Sequence, residues 1–228
     1  MHTAPMGAHQ SRVHDRSGEA HWDAAYRRRT ASGVSWYQPY ASISVELVRT
    51  LELPFDTPII DVGGGASPFV DSLVGMGYSD VTVLDLSSAA LEIAKARIDP
   101  GAPVEWIQAD ILAWTPARRY GLWHDRAVFH FLTAEHDKAA YLERLGSSVA
   151  RPGYAVVATF APDGPQKCSG LPVARYGAEE LADRLSSVSL QMVASSREEH
   201  VTPSGVVQPF TWVVARANES APRPSGGS

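Results

Sequence analysis

Cysteine is almost absent: Cys168 stands alone in 228 residues. One thiol cannot close an internal disulfide, and it leaves no Cys-rich set for zinc or an iron–sulfur cluster, so the chain reads as a protein of a reducing, cytoplasmic compartment. A surplus of positive charge is missing too. Twenty Lys and Arg stand against 25 Asp and Glu, a formal net charge of −5, which argues against the cationic field that holds a nucleic-acid backbone. No stretch approaches the roughly eighteen consecutive apolar residues of a membrane span, and the start lacks the cationic and apolar runs of a signal peptide. Neither nucleic acid nor membrane is expected as a partner. His124, His130 and His136 match no compact ligand motif such as H-E-x-x-H, so no metal is assigned. Internal repeats are also lacking, and the oligomeric state leaves no trace.

What is present suits one core, since 44% of the residues are hydrophobic in a length typical of a single domain. Residues 1–20 are polar and aperiodic, and residues 218–228 are rich in Pro, Gly and Ser. Both read as flexible tails around a domain at 21–217. Within it, short apolar runs alternate with helical patterns, the mark of a parallel sheet covered on both faces. Helical spacing of Ile43, Leu47, Val48 and Leu51 predicts a helix over Pro39–Glu52. Strands are predicted at Pro58–Val62, Val81–Leu84, Val104–Gln108, Gly121–Arg126 and Tyr154–Phe160, with helices between them. Arg151-Pro152-Gly153 should stop the helix that Thr133 opens. After a helix at Ala178–Leu185, the runs Leu190–Ser195 and Phe210–Ala215 can pair as a hairpin around the turn residues of Glu199–Gly205. The expectation is a doubly wound α/β fold with a seven-stranded, mostly parallel sheet and an antiparallel C-terminal hairpin.

Strand, glycine turn and helix in that order put backbone N–H groups at the carboxyl edge of the sheet, where open α/β folds bind ligands. Asp61 ends the first strand, and Gly63 and Gly65 let a ligand approach the backbone. A dinucleotide fingerprint asks for G-x-G-x-x-G, but Pro68 follows Ser67 and the third glycine is missing. Pyrophosphate binding is disfavoured. Asp85, about twenty residues on, ends the second strand where an acid can accept from both ribose hydroxyls. Asp110 follows the third strand. Asp85 and Asp110 each have a plainer role as a cap of the segment after it.

Asp61-Val62-Gly63-Gly64-Gly65, Asp85 and Asp110-Ile111 resemble the motifs of class I S-adenosylmethionine-dependent methyltransferases. The resemblance spans roughly Trp22 to Arg216. It implies a Rossmann-like fold, S-adenosyl-L-methionine as cofactor, Gly63 and Gly65 beside the methionine moiety, Asp85 on the ribose, and Asp110 with the Ile111 N–H on the adenine. Leu86 would pack on the adenine face. Leu122–Phe131, His21-Trp22-Asp23 with Ser35-Trp36-Tyr37-Gln38, and Cys168–Val173 resemble a branch that includes thiopurine methyltransferases and some protein-lysine methyltransferases. By that resemblance Trp36 and Tyr37 cover the cofactor and Arg126 faces the acceptor.

Methyl transfer is an in-line displacement that needs alignment and, for a hydroxyl acceptor, removal of a proton. His124, Asp125 and His130 cluster at the end of strand four as candidate bases, with Tyr37 and His200 approaching from the flanks. Each has a structural alternative: Asp125 pairing with Arg126, His130 bonded where the next helix begins, His200 on a hairpin loop. A small molecule methylated on O, N or S is the favoured acceptor, and a protein lysine the alternative. From other classes, a nicotinamide-dependent oxidoreductase and a non-catalytic cofactor-binding module remain.

Overall fold

A computed structural model of the chain describes residues 16–28 and 37–218. In chain order the elements are α1 (Arg16–Arg28), α2 (Ser42–Thr50), β1 (Ile59–Val62), α3 (Phe69–Met76), β2 (Val81–Asp85), α4 (Ser88–Lys95), β3 (Val104–Gln108), β4 (Tyr120–Arg126), α5 (Glu135–Ser148), β5 (Val149–Phe160), β6 (Lys167–Cys168), β7 (Leu171–Pro172), α6 (Ala178–Ser186), β8 (Gln191–Val201) and β9 (Val207–Ala217). Seven strands make one sheet in the order β3-β2-β1-β4-β5-β9-β8. The pairings β3-β2, β2-β1, β1-β4 and β4-β5 are parallel, while β9 runs antiparallel to both β5 and β8. This is the seven-stranded, mostly parallel Rossmann-like sheet closed by an antiparallel hairpin that the alternation predicts.

The sheet carries a core on each face because its strands alternate. Ile59, Val81, Leu122 and Val156 meet Val45 and Val48 of α2, Phe69 and Leu73 of α3, and Leu91 of α4. Ile60, Trp123, Val157 and Val213 meet Tyr141 and Leu145 of α5 and Leu181 and Leu185 of α6. Fully burying each large apolar side chain of this kind contributes about 1.5–3 kcal/mol. Local chemistry sets the helix starts: the Ser87 Oγ accepts the Ala90 N–H at 3.1 Å ahead of α4, and the Ser67 Oγ accepts the Phe69 N–H at 3.1 Å at the start of α3.

Several boundaries move. Helix α1 begins at Arg16, inside the segment 1–20 read as a tail; residues 1–15 and 219–228 lie outside the described residues. Arg151-Pro152-Gly153 interrupts a strand instead of preceding one. Val149 already pairs with Tyr120, and pairing with β4 resumes at Tyr154 opposite Leu122. The hairpin forms, but Glu199, His200 and Val201 are paired residues of β8 and the turn is confined to the residues after them. His200 therefore sits on a strand with 5% exposure, not on a loop.

Sequence order reverses between β1 and β4, since the chain winds outward from β1 to β3 and then returns to β4 on the other side. A crevice opens above such a switch point, at the carboxyl ends of the strands. The glycine turn and Arg126 flank it.

Candidate active site

At that crevice, Leu84, Asp85 and Leu86 at the end of β2, Asp110 and Ile111 beyond β3, and Gly63 of the turn line one cavity of about 900 Å³ including its open mouth. Trp22 and Tyr26 of α1 line it from above, and Arg126, Val128, Phe131 and Cys168 from the β4–β5 side. A second, smaller cavity is lined by Tyr37, Gln38, Ser44, Asp61, Gly64 and His124, and shares Tyr26, Gly63 and Arg126 with the first. The two therefore adjoin across the glycine turn.

Both acids at the strand ends do two things. One oxygen of Asp85 accepts the Ser87 N–H at 2.7 Å, and one of Asp110 accepts the Leu112 N–H at 2.9 Å. The capping role is real, yet each carboxylate also lines the cavity. Burial pushes the Asp85 carboxyl up to about 7, reinforced by the Asp61 and Asp23 carboxylates and opposed by the Ser87 N–H. In the turn, Gly63 and Gly65 have φ of 68° and 39°. A Cβ on Gly63 would collide with the Val128 side chain, and one on Gly65 would lie 2.7 Å from the Asp85 Oδ2. Only glycine keeps this cradle open.

The candidate bases separate by strand face. Leu122 and His124 of β4 project to the α2–α3 side, Trp123 and Asp125 to the α5 side. The His124 Nδ1 lies 2.7 Å from the Asp61 Oδ1 and its Nε2 3.0 Å from the Ser44 Oγ. Asp125 is fully buried and accepts the Val128 N–H at 2.8 Å, the Phe129 N–H at 3.0 Å and the Tyr141 hydroxyl. Burial pushes its carboxyl up to about 6 against those bonds. It lines neither cavity. His130 is also fully buried, among Phe131, Phe160 and Phe210, with no hydrogen-bond partner for either ring nitrogen. Burial and the nearby Arg126 charge depress its pKa to about 3, so its ring is neutral. Among the candidates, Tyr37, His124 and Arg126 reach a cavity wall; Trp36 lies outside the described residues.

Sequence reasoning assigned no role to several wall and support residues. Trp22 and Tyr26 stand four apart on α1, a spacing that puts two aromatics on one helix face. Glu198 of β8 left no such signal. Its carboxylate accepts the Trp212 indole N–H at 2.9 Å and the Gln38 amide at 2.9 Å, and pairs with Arg126 at 3.4 Å. The Arg126 guanidinium also lies 4.4 Å from the Phe210 ring centroid. Burial lowers the Arg126 pKa, and Glu198 opposes that shift. Among the described residues no three His, Cys, Asp or Glu side chains gather to hold a metal ion, and no helix is long and apolar enough to cross a membrane.

Residues 59–153, from β1 into β5, match the family described as methyltransferase domain. Over that stretch the chain is similar to a methyltransferase domain. EEF1A lysine methyltransferase 2 of Homo sapiens is 25% identical over 87 residues, 35% of this chain and 37% of that protein. The chain thus spans little over a third of that curated relative's length. Among solved structures, Burkholderia thailandensis 1,6-didemethyltoxoflavin-N1-methyltransferase, with 1,6-didemethyltoxoflavin and S-adenosylhomocysteine bound, is 18% identical with a TM-score of 0.67, covering 95% of this chain and 93% of that one. A structure concerned with conversion of a disulfide bond into a thioacetal group during echinomycin biosynthesis is 19% identical with a TM-score of 0.68, covering 89% and 94%. At these identities the likeness establishes the fold alone.

Proposed function

We propose that the protein is an S-adenosyl-L-methionine-dependent methyltransferase that methylates an O, N or S atom of a small molecule. The observation that carries this reading is the convergence of Asp85, Leu86, Asp110, Ile111 and Gly63 on one cavity at the switch point of the sheet. Two further features suit the cofactor. The Asp61 Oδ2 is buried without a hydrogen-bond partner, which suits an ammonium group, and Gly63 and Gly65 let the Val128 and Asp85 side chains come closer to the turn than a Cβ would allow. Bound there, the cofactor supplies an electrophilic methyl group on a sulfonium. The Asp85 carboxylate accepts from the ribose hydroxyls, Leu86 and Ile111 hold the adenine between apolar surfaces, and Asp110 accepts from its amino group. Tyr37, which lines the adjoining smaller cavity, covers the methionine end.

On the other side, Arg126, Val128, Phe131 and Cys168 form the acceptor wall. Their apolar character, with one guanidinium, supports a compact, largely apolar acceptor. Asp125 and His130 act from beneath: Asp125 ties the turn after β4 through the Val128 and Phe129 N–H groups, and His130 fills the space below the wall. For an acceptor that is already nucleophilic, alignment alone accelerates an in-line displacement. The lysine methyltransferase relative favours a second reading, a protein lysine as acceptor. The lone, buried Cys168 accords with a cytoplasmic setting.

Calorimetric titration with S-adenosylhomocysteine, with NAD as control, tests the cofactor reading. Stoichiometric binding of the former alone is expected; no binding, or preference for NAD, refutes it. Incubation of a lysate with methyl-labelled cofactor then separates the acceptors, since label in a protein band refutes the small-molecule reading.

A further inference from the structure

The buried carboxylate beside the glycine turn has one oxygen engaged and the other free. Asp61 is 2% exposed, its Oδ1 lies 2.7 Å from the His124 Nδ1, and its Oδ2 has no partner. Leaving one oxygen of a buried carboxylate unsatisfied is costly unless a donor comes to it. Asp61, His124 and Ser44 all line the smaller cavity, from which such a donor would approach. We infer that His124 and Ser44 form a positioning relay that holds Asp61 so that its free oxygen accepts the ammonium at the amino-acid end of the cofactor. The inference rests on the cofactor reading above and assigns His124 a role other than proton removal from the acceptor.

Each link follows from placement. Asp61 and His124 are register partners on adjacent parallel strands, so their side chains project together from one face of the sheet. A carboxylate only accepts, so the His124 Nδ1 carries the proton towards Asp61, and its Nε2 shares a hydrogen bond with the Ser44 hydroxyl at 3.0 Å. Ser44 lies in the first turn of α2 and is 2% exposed. The ring is fixed from its sides as well, 4.2 Å from the centroid of Phe69 and 6.1 Å from that of Trp212. Supporting hydrogen bonds of this type orient a ligating group and fix the histidine tautomer.

The test compares two ligands that share adenosine and differ at the amino-acid end. S-adenosylhomocysteine carries the ammonium; 5′-methylthioadenosine does not. Ser44→Ala and His124→Gln are expected to weaken S-adenosylhomocysteine about three- to tenfold, the scale of one hydrogen bond, with 5′-methylthioadenosine binding unchanged. Asp61→Asn should produce a larger selective loss and make Ser44→Ala silent in its background. If the histidine variant loses its fold, Ser44→Ala, which removes one hydroxyl, carries the test. Equal weakening of both ligands, or folded variants with undiminished S-adenosylhomocysteine affinity, overturns the relay alone. Wild-type protein that binds neither ligand overturns the cofactor reading and the relay with it.

Discussion

Lowering the pH should weaken cofactor binding through one identifiable carboxyl. Asp85 lines the cavity at the end of β2, and burial pushes its carboxyl up to about 7 in the free protein. Two ribose hydroxyls donate to a carboxylate, so binding selects the ionised form. The sign follows: above pH 7 the site is ready and affinity is level, whereas below pH 7 a proton must leave before the ribose is held. Affinity then falls by up to about tenfold per pH unit, or 1.4 kcal/mol. Two units down, at pH 5, the loss approaches about 100-fold, near 2.7 kcal/mol. Titration calorimetry with S-adenosylhomocysteine from pH 5 to 8, in buffers of different ionisation enthalpy, reads both the affinity and the proton released. Asp85→Asn removes the ionisation, so its profile should be flat, with affinity at pH 8 lower by about 2 kcal/mol for the lost charged hydrogen bonds. A wild-type profile as flat as that of the variant would refute the assignment of the ribose site to Asp85.

Gly63→Ala adds a methyl group that meets Val128 on a backbone with φ of 68°, and should cost about 1–3 kcal/mol in urea denaturation together with loss of S-adenosylhomocysteine binding. Glu198→Gln removes the carboxylate shared by Arg126, Trp212 and Gln38; an unfolding free energy lower by about 3 kcal/mol or more is expected, and an unchanged denaturation midpoint would contradict it. His130 stays neutral down to about pH 3 when folded but takes a proton near pH 6.5 when unfolded, so stability should fall with pH through that window by up to about 1.4 kcal/mol per unit. In His130→Leu the acid limb of the stability curve should flatten, which denaturant titrations at stepped pH would show.

The sheet and the cofactor side of the cavity were legible because their signals are local. A strand, a glycine turn and a helix adjoin in sequence at Ile59–Met76, Asp85 ends β2, and Asp110 lies just beyond β3. The interior of β4 was not legible. His124, Asp125 and Arg126 are consecutive, and sequence spacing groups them as one cluster. The strand is central, however, with helices on both faces, so the pleat sends Asp125 to Tyr141 of α5 and His124 to Ser44 of α2. Which polar side chain faces ligand and which faces core depends on what covers each face. Arg151-Pro152-Gly153 misled for a similar reason, since Pro and Gly mark an interrupted strand as readily as a helix end.

The segment least legible in sequence is tied most directly to the ribose acid. Helix α1 is polar, and its partners lie some sixty residues on, beyond the reach of any periodicity. Asp23 accepts the Ser87 hydroxyl at 2.7 Å and the Ala89 N–H at 3.2 Å, and the Ser87 bond holds the Asp23 pKa down. The same Ser87 gives its N–H to Asp85 and receives the Ala90 N–H that starts α4. One serine thus joins the helix that brings Trp22 and Tyr26 over the cavity, the acid that would hold the ribose, and the α4 N-terminus. A change in how α1 docks therefore reaches Asp85 through one residue: a displaced Asp23 withdraws a carboxylate whose charge raises the Asp85 pKa.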